Sequence, residues 1–194
     1  TFGSGMAAIT SVLRTLTKPG RKLVVPADGY YQVRRYAAEY LAPQGITVVE
    51  AASGDMCEAS SDADVVLVET PTNPGLDVVD LHRVASDCRR RGAVLIVDNT
   101  TATPLGQQPL SLGADLVVAS ATKALSGHSD LLAGYVAGSH RNLMAAVERD
   151  RLHAGPILGA FEAWLLLRSL GSAGLRFERQ CHSAQALAVM LHAH

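Results

Sequence analysis

A chain of 194 residues, 48% of them hydrophobic, is long enough for one sizeable α/β domain with its own core. A formal net charge of −1 argues against the strongly basic surface that binds nucleic acids or anionic membranes. No apolar run reaches the roughly 20 residues of a membrane-spanning helix, and no signal peptide is visible. We therefore expect a cytoplasmic protein, with Cys57, Cys88 and Cys181 as reduced thiols because their spacing fits no metal site.

The chain begins with a glycine-rich turn, Gly3-Ser-Gly-Met-Ala-Ala8, that leads into a helix ending before Lys18-Pro-Gly20. Such a turn points backbone N–H groups and the positive end of the helix dipole outward, which makes it a natural phosphate site. It also fits the dinucleotide-binding fingerprint G-x-G-x-x-A, with Asp28 at about the distance of the acid that binds the ribose. A dinucleotide-dependent oxidoreductase and a plain helix-capping turn therefore both remain open here.

Apolar and β-branched runs predict strands that alternate with helices along the rest of the chain. The runs at 64–69 and 93–98 are continuous, as in parallel strands buried on both faces. Residues 51–61 and 104–113 are expected to be connections, the first with a helical turn. This alternation predicts a mostly parallel sheet with helices on both faces. The predicted strands are 22–26, 46–50, 64–69, 93–98, 116–119 and 132–138, and the predicted helices are 9–16, 28–41, 80–91 and several after 141.

Chemically useful side chains follow several of these strands. Tyr30 lies at a strand-to-helix turn, where its ring could stack on a ligand or simply pack at the helix start. Asn73 is held between two prolines just past residues 64–69, where open α/β sheets bind ligands, although turn asparagines are also common there. Asp98 ends the next strand, and a carboxylate at that edge needs a partner such as a protonated ring nitrogen, unless it caps the next turn.

The third strand ends in Ser120-Ala-Thr-Lys123, so a buried strand delivers two hydroxyls and an amine to one point. A lysine in a dry site can lose its proton and form a Schiff base with pyridoxal phosphate, while the hydroxyls hold the phosphate. A surface lysine just past a strand end is the simpler alternative.

The order of these features is more specific than any one of them. A phosphate-type turn at Gly5 and Met6, an aromatic ring, an amide, an acid and an amine all fall at equivalent edges of one sheet. Pyridoxal phosphate needs that set, as anion cradle, ring stacker, partner of the phenolic oxygen, partner of the pyridine nitrogen and imine lysine. A dinucleotide enzyme would leave Asp98 and Lys123 without a role.

Four motifs resemble the Cys/Met-metabolism family of pyridoxal-phosphate enzymes, which includes cystathionine γ-lyase, cystathionine γ-synthase, cystathionine β-lyase, methionine γ-lyase and the O-acylhomoserine sulfhydrylases. The resemblance covers nearly the whole chain. It implies the aspartate-aminotransferase-like (type I) fold of pyridoxal-phosphate-dependent transferases, with residues 1–194 as the large cofactor-binding domain. The motifs are Ser4-Gly-Met-Ala-Ala-Ile9, Glu69-Thr-Pro-Thr-Asn-Pro74, Asp98-Asn-Thr-Thr-Ala-Thr-Pro104 and Ser120-Ala-Thr-Lys-Ala-Leu-Ser-Gly-His-Ser-Asp130.

By this resemblance, Lys123 is the lysine that binds the cofactor as an imine and later moves protons between substrate carbons. Asp98 is the partner of the pyridinium nitrogen, and Tyr30 stacks on the ring and assists proton transfer. Asn73 lies at the phenolic oxygen, and the Thr100 hydroxyl lies near the ring. The phosphate cradle is formed by Gly5, Met6, Ser120 and Thr122.

The sequence departs from the family in one motif, because Tyr31-Gln32 follow Tyr30 where the family commonly has Gly-Gly. Bulkier side chains at that turn are expected to reshape the substrate entrance. The chain opens at Thr1 without a methionine and stops within a helical pattern at His194, which predicts an internal segment of a longer polypeptide. The family's N-terminal arm and C-terminal domain, which complete its active site, are expected to lie outside this segment.

The resemblance implies an enzyme, a pyridoxal-phosphate-dependent carbon–sulfur lyase of the transsulfuration type. A cystathionine γ-lyase cleaves the Cγ–S bond of cystathionine to give cysteine, 2-oxobutanoate and ammonia. The same machinery serves γ-replacement, so a cystathionine γ-synthase or an O-acylhomoserine sulfhydrylase is an alternative, and an inactive scaffold paralogue is another. The family also implies a homotetramer of dimers that share active sites, with an amino-acid thioether as partner and no metal, nucleic acid or membrane.

Overall fold

A computed structural model describes residues 1–193 and contains a six-stranded sheet. Its strands are β1 (Lys22–Pro26), β2 (Thr47–Ala51), β3 (Val65–Glu69), β4 (Val94–Asp98), β5 (Leu116–Ser120) and β6 (Gly134–Gly138). They lie in the order β2-β1-β3-β4-β5-β6, and β6 is antiparallel to β5 whereas all other neighbours are parallel. The predicted mostly parallel sheet is therefore confirmed.

Helices precede and follow these strands. They are α1 (Gly5–Leu16), α2 (Tyr31–Tyr36), α3 (Met56–Ala59), α4 (Leu81–Arg91), α5 (Thr103–Gly106), α6 (Arg141–Ala154), α7 (Ala160–Leu170) and α8 (Ala173–His192). Within residues 1–193, none of them is both long enough and apolar enough to cross a membrane.

The sheet is buried on both faces because its side chains alternate between two core clusters. Leu67 and Ile96 face the cluster that includes α1, α2 and α6. Val68 and Leu95 face the opposite cluster, which includes α4. Covering both faces explains why the central strands are continuously apolar rather than alternating. Each such side chain contributes roughly 1.5–3 kcal/mol by leaving water.

The structure differs from the predicted helix over 28–41 at both ends. The helix begins only at Tyr31, because the Asp28 carboxylate accepts hydrogen bonds from the Ser53 N–H and hydroxyl, both at 3.0 Å, and holds residues 28–30 in a turn. After α2 the chain continues as a π-helical turn over Ala37–Leu41 and a 3₁₀ turn that ends at Gly45 with φ of 83°.

Smaller differences affect the predicted connections and one strand. Residues 51–61 include the end of β2 and the one-turn helix α3, which 3₁₀ turns flank. Residues 104–113 contain α5 and a further 3₁₀ turn. Strand β2 lies one residue later than predicted, since its register is fixed by pairing with β1 rather than by its own composition.

Parallel pairing brings the carboxyl ends of the strands to one edge of the sheet. Glu69 at the end of β3 lies opposite Asp98 at the end of β4, and β5 ends nearby at Ser120. The N-terminus of α1 packs against β5 and β6 at this edge. The polar residues that follow the strands in sequence are thus gathered around one point in space.

Candidate active site

A cavity of about 580 Å³ lies at this carboxyl edge of the sheet. Its volume is within the roughly 300–1,000 Å³ typical of small-molecule sites. Every site residue predicted from the sequence lines it, although their separate roles stay predictions at this point. These residues are Gly5, Met6, Tyr30, Asn73, Asp98, Thr100, Ser120, Thr122 and Lys123.

The N-terminus of α1 forms one wall of the cavity and offers free backbone donors. Ser4 caps the helix, since its hydroxyl accepts the Ala7 N–H at 3.0 Å and its carbonyl accepts the Ala8 N–H. The N–H groups of Gly5 and Met6 have no acceptor among the described residues, as expected for the first turn of a helix. Two unsatisfied N–H groups at the positive end of the helix dipole suit an anion.

Glycines allow this helix end to approach the strands closely. A Cβ added at Gly5 would lie 2.6 Å from Ser120 Cβ, so only glycine fits between α1 and the end of β5. A Cβ at Gly134 of β6 would collide with the Ser4 carbonyl, and Gly134 pairs with Phe2 through two backbone hydrogen bonds of 2.8 Å. The glycines therefore set the width of the anion-binding wall.

The two hydroxyls predicted for phosphate binding differ in the structure. The Ser120 hydroxyl has no hydrogen-bond partner among the described residues and lies beside Gly5. The Thr122 hydroxyl donates to the Ala133 carbonyl at 3.2 Å and accepts the Ala133 N–H at 3.0 Å. Ser120 is thus free to donate to an anion, whereas Thr122 would first have to leave the Ala133 carbonyl.

Asp98 is buried beneath the cavity, with 6% of its surface exposed. Both the N–H and the hydroxyl of Thr100 donate to its Oδ1, at 2.9 and 2.5 Å, and Oδ2 receives no hydrogen bond within residues 1–193. Burial raises the pKa of Asp98, and the two bonds from Thr100 oppose that rise. A cationic N–H donor at Oδ2 would satisfy this carboxylate.

The Thr100 hydroxyl is hydrogen-bonded to Asp98 and is therefore not unpartnered in the cavity. This hydroxyl donates to Asp98 Oδ1 and accepts the Ser120 N–H at 2.8 Å. It therefore connects the ends of β4 and β5, and its part in the site includes orienting the acid.

Glu69 is a cavity-lining acid to which the sequence alone assigned no role. It is 5% exposed, and its Oε2 accepts the Tyr30 N–H at 2.6 Å. A Cβ at Gly29 would lie 2.6 Å from the same oxygen, so the turn that presents Tyr30 rests directly on Glu69. Burial raises the pKa of Glu69 to about 7. The hydrogen bond from the Tyr30 N–H lowers this pKa, and the charges of Asp98 and Asp28 raise it further. In the sequence, the feature that could have pointed to Glu69 is an acid at the end of a continuous apolar run, as at Asp98.

Tyr30 lines one side of the cavity, and Tyr31 and Gln32 follow it outside the cavity. The ring of Tyr31 meets the ring of Tyr30 edge-on, with centroids 5.3 Å apart, and Gln32 donates from Nε2 to the Tyr31 hydroxyl at 3.0 Å. Tyr31 itself is exposed and does not line the cavity. The departure from Gly-Gly therefore acts on the site through Tyr30.

Lys123 and Asn73 lie at the open rim, and both are exposed. Lys123 also borders a larger groove of about 1,040 Å³ that leads away between α7 and the loop after β5. The Lys123 side chain thus borders both the cavity and this groove.

These features fit pyridoxal phosphate. The cavity offers free N–H groups and a hydroxyl for a phosphate, and an aromatic ring at its side. Its floor carries a buried carboxylate with an unpartnered oxygen, and its rim carries a lysine. This donor set matches the cofactor's phosphate, ring, ring nitrogen and aldehyde in turn.

The dinucleotide interpretation of Gly3–Gly5 is wrong. Phe2, which precedes the turn, pairs with the antiparallel edge strand β6 and not with a central parallel strand. Asp28 is occupied by Ser53 and so is not available for a ribose. The fingerprint's strand–turn–helix setting is therefore missing, although the turn does form a phosphate-type helix end.

No cluster of three or more His, Cys, Asp or Glu side chains in the described part of the chain could hold a metal ion. The three cysteines Cys57, Cys88 and Cys181 are free thiols. Burial raises the pKa of Cys88 to about 11, which keeps it unreactive.

Comparisons with known proteins show the family of the chain. The sequence model of the family "Cys/Met metabolism PLP-dependent enzyme" matches residues 1–194. The Streptomyces coelicolor protein named "Putative cystathionine gamma-lyase" is 47% identical over 98% of this chain and 49% of its own length. The cystathionine gamma-synthase/O-acetylhomoserine (thiol)-lyase of Bacillus subtilis is 39% identical over 98% of this chain and 52% of its own length.

A solved structure confirms the fold. The crystal structure of metB from Corynebacterium glutamicum superposes with a TM-score of 0.95 at 34% identity, over 100% of this chain and 51% of that one. The chain spans about half the length of the curated relatives that it matches. It has the type I fold, its family's cofactor is pyridoxal 5′-phosphate, and it belongs to the Cys/Met metabolism family of PLP-dependent enzymes.

Proposed function

We propose that this chain carries the cofactor-binding site of a transsulfuration lyase that resembles cystathionine γ-lyase. The reaction is cleavage of the Cγ–S bond of cystathionine to cysteine, 2-oxobutanoate and ammonia. The observation that carries the proposal is the meeting of Lys123, the buried Asp98 and the open N-terminus of α1 in one cavity. Relatives named for this activity, in Streptomyces coelicolor and Bacillus subtilis, support it.

Each residue has a part that follows from its surroundings. Lys123 would hold the cofactor at the rim, and its free amine would take the proton from the substrate's Cα and return one further along the carbon chain. Asp98 would hold the ring nitrogen through its free Oδ2, while Thr100 fixes Oδ1. When bound, pyridoxal phosphate supplies an electron sink for the electron pair left at Cα. Tyr30, which lines the cavity, would cover the ring and exclude water from it.

The phosphate would be held by three groups that have no other partner. These are the N–H groups of Gly5 and Met6 and the Ser120 hydroxyl, and the dipole of α1 adds to their attraction. Asn73, at the exposed rim, would donate to the phenolic oxygen. Thr122 joins this set after its hydroxyl turns away from Ala133.

Replacement at Cγ is the second candidate function, because relatives of similar identity carry synthase or thiol-lyase names. Elimination and replacement share the proton transfers at Cα and Cβ. They differ after the bond from Cγ to the leaving group has broken. In elimination the remaining four-carbon unit takes up a proton and is hydrolysed by water to 2-oxobutanoate and ammonia, whereas in replacement a thiol adds at Cγ. The Tyr31-Gln32 pair contacts Tyr30 from outside the cavity, so any effect of this pair on the choice between the two reactions would pass through the position of Tyr30.

The test is made on the full-length protein in wild-type and Lys123→Ala forms. Borohydride treatment followed by peptide mapping should fix the cofactor on the Lys123 peptide in the wild type and on no peptide in the variant. The wild type should release 2-oxobutanoate from cystathionine faster than it forms cystathionine from an O-acylhomoserine and cysteine. Activity in the variant is expected to fall by at least about 1,000-fold, the scale of losing both nucleophile and proton carrier.

Other outcomes have defined meanings. Faster cystathionine formation than breakdown would assign the synthase function. A colourless wild type that takes up no cofactor would contradict any enzymatic role and favour a scaffold paralogue.

We further propose that residues 1–194 are the large domain of a longer polypeptide, whose arm and C-terminal domain complete the site in a homotetramer with shared active sites. The chain's match to about half of each relative supports this. Large apolar side chains also remain exposed on α7, among them Phe161 at 67% and Trp164 at 57%. Light scattering of the full-length holoprotein measures its molar mass and hence the number of subunits.

A further inference from the structure

The guanidinium of Arg176 joins three separate parts of the chain. From the first turn of α8 it donates to the carbonyl oxygens of Ala124 and Leu125, each at 2.8 Å. It also donates to the Ser169 carbonyl at 2.9 Å and to the Ser172 hydroxyl at 3.1 Å. Ala124 and Leu125 immediately follow Lys123, about fifty positions earlier in the sequence.

The segment that Arg176 holds is a compact turn built around Lys123. The Lys123 carbonyl accepts the Gly127 N–H at 2.8 Å, and the Ala121 carbonyl accepts the Ser126 N–H at 3.0 Å. The Ser126 hydroxyl donates to the Thr122 carbonyl at 2.8 Å. The carbonyls of residues 124 and 125 have no other donor within residues 1–193, so Arg176 is what completes the turn.

Gly127 shows how closely the guanidinium is packed against this turn. It has φ of +67°, and a Cβ added to it would collide with the Arg176 guanidinium. Glycine at this position therefore serves both the backbone conformation and the approach of the arginine. A flat, five-donor head group is needed to reach two successive carbonyls and the end of α7 together, which a lysine ammonium cannot do.

We propose that Arg176 is a positioning residue for Lys123. It locks the turn that follows the lysine onto the corner between α7 and α8, so that the amine is presented at the rim of the cavity in one orientation. The inference deepens the proposed function and rests on it for the role of Lys123. The clamp, by which we mean the hydrogen bonds from Arg176 to the carbonyls of Ala124 and Leu125, does not depend on the proposed function.

The experiment compares the full-length protein as wild type, R176K, R176A and R179A. Arg179 is the matched control, because it is exposed on the same helix and makes no hydrogen bond or ion pair within the described residues. Hydrogen exchange of the Ser126 and Gly127 amides should speed up by at least about tenfold in R176K and R176A. In R179A both amides should exchange as in the wild type.

Two further readouts connect the clamp to Lys123. The dissociation constant for pyridoxal phosphate should rise by about tenfold in both Arg176 variants. The visible circular dichroism of the bound cofactor should change as well, because it reports how the lysine presents the ring, and a purely structural loss would leave it unaltered in the folded fraction. R176K decides the matter if R176A does not fold.

A double-mutant cycle tests the contact with Gly127. G127A should weaken cofactor binding in the wild type, and its effect should be smaller in the R176A background, where the collision is gone and only the strain of the positive φ remains. Wild-type exchange and cofactor retention in R176K would overturn the inference. Should the wild type itself fix no cofactor on Lys123, the proposed function fails, while the exchange rates still decide whether the clamp exists.

Discussion

Glu69 and Asp98 are neighbouring acids at the ends of β3 and β4, and they accept different hydrogen bonds. Asp98 receives two donors from Thr100 on one oxygen, whereas Glu69 receives only the Tyr30 N–H. Glu69 and Asp98 are direct partners across β3 and β4. Two adjacent buried carboxylates disfavour each other's ionisation, so one of them is expected to hold a proton near neutral pH.

Glu69→Gln tests that expectation through the pH dependence of stability. The pKa of Glu69 is raised from 4.5 to about 7 by burial, so its contribution to stability is complete below pH 4.5 and is lost as the pH rises through 7. That rise corresponds to about 3 kcal/mol. The cofactor-free wild type should therefore lose about that much stability relative to E69Q between pH 4.5 and pH 8.

Urea unfolding of both proteins at these two pH values measures the difference. Asp98 and Asp28 are present in both proteins, and their charges are among the causes that raise the pKa of Glu69. Parallel stability curves for the wild type and E69Q would show that folding does not raise the pKa of Glu69.

The buried hydroxyl of Tyr135 allows a second prediction about a single residue. Its hydroxyl is buried without a hydrogen-bond partner among the described residues, and burial together with the Asp98 charge raises the pKa of Tyr135 to about 12. Removing an unsatisfied buried hydroxyl is neutral or favourable. Tyr135→Phe should therefore leave the free energy of unfolding unchanged or raise it by up to about 1 kcal/mol. Tyr40→Phe, at an exposed position, is the control, and a clear loss in Y135F alone would reveal a partner for the hydroxyl.

At the scale of elements, the contact between α1 and β5 decides the width of the phosphate-binding wall. A Cβ at Gly5 would lie 2.6 Å from Ser120 Cβ and 3.0 Å from its Cα, so Gly5→Ala must move the helix end. We expect a loss of roughly 1–3 kcal/mol in stability from this overpacking, together with weaker cofactor binding.

Thermal unfolding and a pyridoxal-phosphate titration of G5A measure the two effects. Gly174→Ala in α8 is the matched control, because nothing lies within 4 Å of the added Cβ, and alanine there should be neutral or slightly stabilising. Wild-type cofactor affinity in G5A would mean that the helix end is not part of the phosphate site.

The elements that the sequence predicted well are those whose burial is uniform. Strands β3 and β4 are covered on both faces, so their composition alone marks them. The start of α2 was misplaced because the Asp28 side chain turns to Ser53 on another connection. The roles of Glu69 and Arg176 depend on contacts between distant segments, and no local pattern reports such contacts.

The predicted site residues all line one cavity, because parallel strands deliver their ends to one edge in a fixed order, and their roles stay predictions. The sequence did not predict which of these side chains already have hydrogen-bond partners within the protein. Thr122 is engaged by Ala133 while Ser120 is free, and Thr100 is turned to Asp98, although all three are hydroxyls beside the same strand end. Hydroxyl partners depend on side-chain rotation, which spacing does not determine.

At the scale of the whole molecule, α7 and α8 present an apolar surface that the described residues do not cover. Phe161 and Trp164 stack with centroids 6.0 Å apart, and Leu167 beside them is 71% exposed. Exposed apolar patches of this kind usually mark contact surfaces. Since the chain matches about half of each relative, we expect the remainder of the longer polypeptide to pack on α7.

Trp164 is this chain's single tryptophan and makes that expectation measurable. In the full-length holoprotein, the fluorescence assigned to Trp164 by subtracting a Trp164→Phe variant should be blue-shifted and protected from acrylamide, because packing removes the ring from water. A ring left 57% exposed, as in this chain alone, would be readily quenched. If protection is lost on dilution, a second subunit covers α7. If it persists, the same polypeptide does so, and quenching close to that of free tryptophan would show that α7 faces solvent.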